Sequence, residues 1–207
     1  RSRHGDFLGQ LLTALANLAR EDSFSEVGDL VRHPAILAFL QASCGPDFSA
    51  TEFLKNMDRL HADHLPPNLL EANRHWRGGD ELKVIYELRE RLANEAFPAN
   101  VVGALAEIFG SRRVDMESEA DADLAESAEA WSGILGELTI AAKKFSGLSS
   151  TEGWELALRL YAESVQFAEK PAHALELQGW LELVWEDAPH LIVVGLNDGK
   201  VPDAVVG

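Results

Sequence analysis

LELQGWLELVWEDAPHLIVVGLNDGKVPD, residues 175–203, reads unlike the rest of the chain. Two short apolar runs flank Gly179-Trp180-Leu181-Glu182, and the second runs into Gly195-Leu196-Asn197-Asp198-Gly199 with Pro202 soon after. Residues 172–177 are consistent with a strand, and 191–196, apolar throughout, with a buried parallel strand. The residues between them suit a short helical crossover. The Asn-Asp-Gly turn then falls at the C-terminal end of the second strand, the edge where open α/β sheets bind ligands.

Everything upstream carries helical signals. Asp6 is placed to cap a helix whose Leu8, Leu11, Leu12 and Leu15 share one face. Three Ser-x-x-Glu capping boxes follow, at Ser23/Glu26, Ser49/Glu52 and Ser149/Glu152. Pro34 separates a second helix from a short third. Leu65-Pro66-Pro67 and Arg77-Gly78-Gly79 are connectors around a short helix near 68–75. Asp80 opens a helix to about residue 94, and Val101, Val102, Leu105, Ile108 and Phe109 mark another, closed by Gly110 as a C-terminal glycine. From Asp115 to Glu129 the chain is acidic, yet Leu124, Ala128, Trp131, Leu135, Leu138 and Ala142 hold a helical stripe, which predicts one long helix over about 120–145. No fixed-period repeat emerges.

With 207 residues, 46% of them hydrophobic, the chain can bury a substantial core without disulfides. The single cysteine, Cys44, is read as a small buried hydrophobe, and the absence of others excludes an intrachain disulfide framework. These features and the lack of a signal peptide or a membrane span point to a cytoplasmic protein with no membrane partner. The missing initiator methionine and the Val-Val-Gly end suggest an excised piece. A net charge of -16 opposes nucleic-acid binding through the overall field. Arg112-Arg113, Lys143-Lys144 and Arg74-His75-Trp76-Arg77 are the local basic patches, each short enough to be an ordinary solvated face.

No phosphate-binding P-loop, dinucleotide glycine motif, zincin motif or nucleophile elbow occurs in the sequence, so no catalytic residue is assigned. His61 and His64, with Asp58 or Asp63, lack a matching distant ligand pair and read as surface polar residues, so no metal site is assigned. Trp131 and Trp154 belong to apolar stripes and read as core.

The pattern strand, Gly-Trp-Leu-Glu, strand, Gly-Leu-Asn-Asp-Gly-x-x-Pro resembles the motif V region of superfamily I (UvrD-like) DNA helicases. It is closer still to the degenerate helicase part of AddB-type subunits of bacterial helicase-nucleases of the PD-(D/E)XK nuclease family. Gly179, Leu181 and Glu182 match the family's Gly-x-Leu-Glu element, and Gly195, Asn197, Asp198, Gly199 and Pro202 match the later turn. "DLVRHPAILAFL", residues 29–40, resembles the family's helix that opens the helical insertion. The specific match covers about the last fifth of the chain. The resemblance implies a mainly α fold, a multi-helical 2B-like insertion over 1–168, followed by a short parallel β-strand pair of an incomplete RecA-like (P-loop NTPase-like) α/β domain over 169–207. It also implies that Gln178, Gly179, Trp180, Asn197, Asp198, Gly199 and Lys200 lie near nucleic acid and Glu182 near the nucleotide.

The sequence departs from the active family pattern. Ala174-Leu175-Glu176-Leu177-Gln178 stands where the family has a Thr-x-His-x-x-Lys run, removing groups that would hold phosphate. The resemblance therefore implies an inactivated helicase module in DNA double-strand-break repair and recombination, a scaffold or DNA-path element. DNA and a helicase-nuclease partner subunit are its implied partners. No cofactor is expected in this part; ATP and Mg²⁺ belong, if anywhere, to the full-length parent or its partner subunit. Two alternatives stand beside it: an all-helical acidic protein-interaction module without a nucleic-acid role, and a nucleotide-binding α/β enzyme truncated near its first strands.

Overall fold

The computed structural model describes residues 5–21, 23–94, 96–115, 117–144 and 149–164. The chain divides into two units, Arg1–Phe167 and Ala168–Gly207, and every described residue belongs to the first. The strands expected at 172–177 and 191–196 lie outside the described residues.

The described residues are mainly helical: α1 (Phe7–Arg20), α2 (Phe24–Val31), α3 (Pro34–Cys44), α4 (Ala50–His64), α5 (Leu69–His75), α6 (Glu81–Asn94), α7 (Ala99–Phe109), α8 (Glu119–Lys144) and α9 (Ser150–Glu163). Among them the only β pairing is an isolated antiparallel bridge between Ser23 and Asn68. None of these helices is long and apolar enough to cross a membrane.

α1 is the central pillar. Leu11, Leu12, Leu15 and Leu18 are fully buried, and the helix packs on α2, α6, α8 and α9. Asp6 caps it, one carboxylate oxygen accepting from the Gly9 amide at 2.6 Å. The other oxygen accepts from the Ser127 hydroxyl of α8 (3.1 Å) and the Tyr161 hydroxyl of α9 (2.9 Å). One carboxylate thus starts a helix and ties two distant ones to it. At the start of α3, where Pro34 occupies the first turn, His33 is the cap. Its Nδ1 accepts from the Ala35 amide (3.2 Å), which leaves Nε2–H to donate to the Phe7 carbonyl at 3.1 Å. Burial holds the His33 pKa below its ordinary value, against the opposing pull of the Phe7 carbonyl.

Several expectations are corrected by the packing. All three serines of the capping boxes accept from the N3 amide, but the reciprocal glutamate bond forms only at Ser149/Glu152; Glu52 instead pairs with Lys55 at 2.9 Å. Gly110 ends α7 in the right-handed region (φ -60°), so it does not serve as a left-handed terminator. Cys44 is half-buried rather than core, its thiol pKa raised by burial and then by Glu81 and Asp80. In α8, Leu124, Trp131, Leu135 and Leu138 are buried, whereas Ala128 and Ala142 of the same stripe are exposed. In α7, Val101, Ala104 and Ile108 are core, but Val102 is 52% exposed and Leu105 and Phe109 only half-buried. The apolar faces of α7 and α8 are wider than the surface their neighbours cover.

Candidate nucleic-acid interface

α4 ends because Leu65 turns left-handed (φ 44°, ψ 51°) ahead of Pro66-Pro67. Asn68 then caps α5 by accepting from the Glu71 amide at 2.9 Å. α4 and α5 pack on each other, and their polar faces meet. The His64 and His75 rings stack with centroids 4.3 Å apart and 14° between planes. Arg59 and Asp63 of α4 and Arg77 after α5 line the same depression, a space of about 430 Å³.

Trp76 forms the fixed wall. Its indole N–H donates to the Gly79 carbonyl (3.2 Å) and the Glu81 carboxylate (3.1 Å), and its ring meets Phe53 edge-on at 5.7 Å. Gly78 is a steric requirement of this arrangement, because a Cβ there would lie 2.5 Å from the indole. The ring is therefore held from both sides, and the exposed Arg77 follows a rigid residue rather than a free loop.

Two exposed guanidiniums without a carboxylate partner among the described residues, Arg59 and Arg77, line this one depression. Arg32, Arg74, Arg89, Arg91, Arg112 and Lys55 each pair with a carboxylate. Arg59 and Arg77 have no ion-pair partner among the described residues, although 34 acidic residues compete for 18 Lys and Arg in the chain. Arg59 acts only at a distance on Glu52, whose pKa is lowered chiefly by Lys55. Two unpaired guanidiniums beside two exposed imidazoles offer converging donors to a phosphate, which guanidinium matches in bidentate geometry. Asp63 is the one carboxylate lining the depression.

The structure joins Arg74-His75-Trp76-Arg77 to the His61-x-x-His64 segment in an unexpected way. His64 joins the basic cluster, while His61 turns away and stacks on Phe24 at 5.7 Å; Arg74 is taken by Glu71 at 2.5 Å. No group of metal-ligating side chains occurs among the described residues. Of the other basic patches, Arg112 is bound by Asp121 and lies over the Phe7 ring, and Lys143-Lys144 extend exposed from the end of α8. The chain has no significant match among family models, curated proteins or solved structures. Gln178, Gly179, Trp180, Glu182, Asn197, Asp198, Gly199 and Lys200 lie outside the described residues. Arg59 was missed in the sequence. Its signal was the Asn56, Arg59, Asp63 spacing on one polar face of α4, but its meeting with Arg77 depends on how α5 folds back.

Proposed function

We propose that this chain is the helical insertion and returning RecA-like strands of an inactivated superfamily I helicase module. Its parent is an AddB-like helicase-nuclease subunit of the cytoplasm acting in DNA double-strand-break repair. The role is that of a scaffold or DNA-path element without nucleotide turnover. ATP and Mg²⁺ serve the full-length parent or its partner subunit, and residues 178–180 and 197–200 face the strand with Glu182 toward the nucleotide.

The observation that carries this reading is the unpaired Arg59/Arg77 cluster with its His64–His75 stack. It lies on a mainly helical unit followed by the Gly179-to-Pro202 pattern. The acidity of α8 does not cancel it, and Asp63 is the one carboxylate in the depression among the described residues. α4 and α5 pack on each other, and α5 on α2 and α6, whereas the acidic α8 packs on α1 and α9. At physiological ionic strength exposed charges are screened beyond about 8 Å. The cluster therefore acts locally on phosphate, and bases contribute through stacking elsewhere along the path.

The test is titration of the full-length protein with a fluorescein-labelled 20-nucleotide single strand, comparing wild type with Arg59→Ala/Arg77→Ala. Both arginines are exposed, so thermal stability should be unchanged while affinity falls roughly tenfold, equivalent to about 1.4 kcal/mol. Equal affinity of the two proteins would remove the cluster from the DNA path.

A further inference from the structure

His64 and His75 are the last residues of α4 and α5. The two helix ends meet so that the imidazoles lie face to face, centroids 4.3 Å apart with 14° between planes. Both are exposed, and both line the depression that holds Arg59 and Arg77. Histidine is the side chain that changes charge between pH 5 and 8, so its surroundings decide how much charge such a pair carries. Two imidazoliums this close repel each other. The pair therefore accepts a first proton far more readily than a second and titrates as a unit.

The charges around the stack set when that proton arrives. On α4 they are Arg59 and Asp63, and beyond α5 it is Arg77. His61, also on α4, is turned to Phe24, and Arg74 of α5 is paired with Glu71. Of the elements packed on α5, α6 brings Glu81, which accepts from the Trp76 indole, and α2 brings Arg32, bound to Asp58. Neither lines the depression. Before an anion arrives, two guanidiniums oppose a further positive charge and one carboxylate, Asp63, favours it. A phosphate between the guanidiniums reverses the balance, because its negative charge then faces the imidazoles as well.

We infer that the His64–His75 stack takes up one proton, carried by the pair, when the cluster binds a nucleic-acid phosphate, so that the grip on the strand tightens as pH falls. The inference rests on the reading of Arg59 and Arg77 as a phosphate contact and adds its regulation. The sign follows from linkage: the complex holds more protons than its separated parts, so affinity rises toward low pH. The helix ends suit the added charge, since C-terminal carbonyls attract cations. At alkaline pH, Arg59 and Arg77 are left as the cations lining the depression.

The probe is a 5′-hydroxyl, 20-nucleotide oligothymidylate, whose bases do not titrate in this range, added to the full-length protein at 50 mM salt. Calorimetry at pH 6.5 in two buffers of different ionisation enthalpy counts the protons taken up on binding. For one imidazole whose proton affinity rises about tenfold in the complex, uptake should be about 0.4 proton, and binding roughly fivefold tighter at pH 6 than at pH 8. His64→Gln/His75→Gln should take up none and show a flat pH profile at an unchanged melting temperature. Each single variant should keep most of the uptake, because the remaining imidazole can carry the one charge. Uptake in the double variant equal to wild type, uptake above one proton, or equal wild-type affinity at pH 6 and 8 would each overturn the inference. A strand that binds, loosens in Arg59→Ala/Arg77→Ala and brings no proton with it would overturn the inference and leave the phosphate contact standing. Binding at neither pH would overturn both.

Discussion

Replacing Asp6 with alanine removes three interactions at once. The Gly9 amide loses its cap, and Ser127 and Tyr161, 3% and 1% exposed, lose a charged acceptor. Loss of an N-cap costs about 1 kcal/mol, and each hydrogen bond to a charged group contributes about 1.5 kcal/mol at the lower end of its range. The sum is about 4 kcal/mol, far above an ordinary surface substitution. Asp6→Asn separates the parts, because asparagine caps as well as aspartate but has no charge to offer the two hydroxyls; it should cost about 1–2 kcal/mol. Urea denaturation followed by circular dichroism reads both as shifts of the midpoint at constant m. A cycle with Tyr161→Phe should show coupling of about 1 kcal/mol, as expected for residues in one network. If Asp6→Ala lies within 1 kcal/mol of wild type, or the cycle shows no coupling, the carboxylate is only a local cap and does not join α8 and α9 to α1.

Four other perturbations have defined outcomes. His33 is buried with a lowered pKa, so the unfolded chain binds the proton more readily; its contribution to stability is complete above about pH 6.5 and is lost as pH falls through the lower folded value. Denaturation of His33→Asn from pH 7 to 5 should accordingly show a flatter profile than wild type, and parallel profiles would contradict this. Gly153→Ala would gain about 1 kcal/mol by helix propensity alone, but its Cβ would lie 2.6 Å from the Phe97 ring, so a net loss of about 1–3 kcal/mol is expected; a raised Tm would refute the clash. Trp180→Ala in the full-length protein should weaken single-strand binding by about 1–3 kcal/mol with little change in stability, as for a stacking aromatic, and a stability loss with unchanged affinity would make Trp180 a core residue. The purified chain should neither hydrolyse ATP nor cleave DNA, and nucleic-acid-stimulated hydrolysis that survives stringent purification would end the reading of an inactivated module.

The helices were legible because their determinants are local. Asp6, Ser23, Ser49 and Ser149 all cap as their spacing predicts, and Pro34 opens α3. The acidic run from about residue 120 to 129 is readable as helix from its stripe, since charge repulsion on a solvated face is weak beside a buried Trp131 and Leu135. What periodicity could not reveal was which part of each apolar face is covered. Ala128, Val102, Leu105 and Phe109 have the spacing of core residues, and only the arrangement of α7, α8 and their neighbours leaves them along an open trough. His33 as a cap was equally hidden, because its role depends on the Phe7 carbonyl reaching it from α1. The cluster was half legible: Arg74-His75-Trp76-Arg77 stood out as a run, but Arg74 is consumed by Glu71 and the run's partner cation is Arg59.

The central claim, a DNA-path role centred on Arg59 and Arg77, is tested most directly by the salt dependence of single-strand binding. Each phosphate contact contributes roughly 0.7 to the slope of log K against log salt on a single strand, so removing two arginines should make the slope shallower by about 1.4. The account predicts that change in full-length Arg59→Ala/Arg77→Ala, with the melting temperature unmoved. An identical slope in the wild type and the variant, or no binding by the wild type at 50 mM salt, would contradict it.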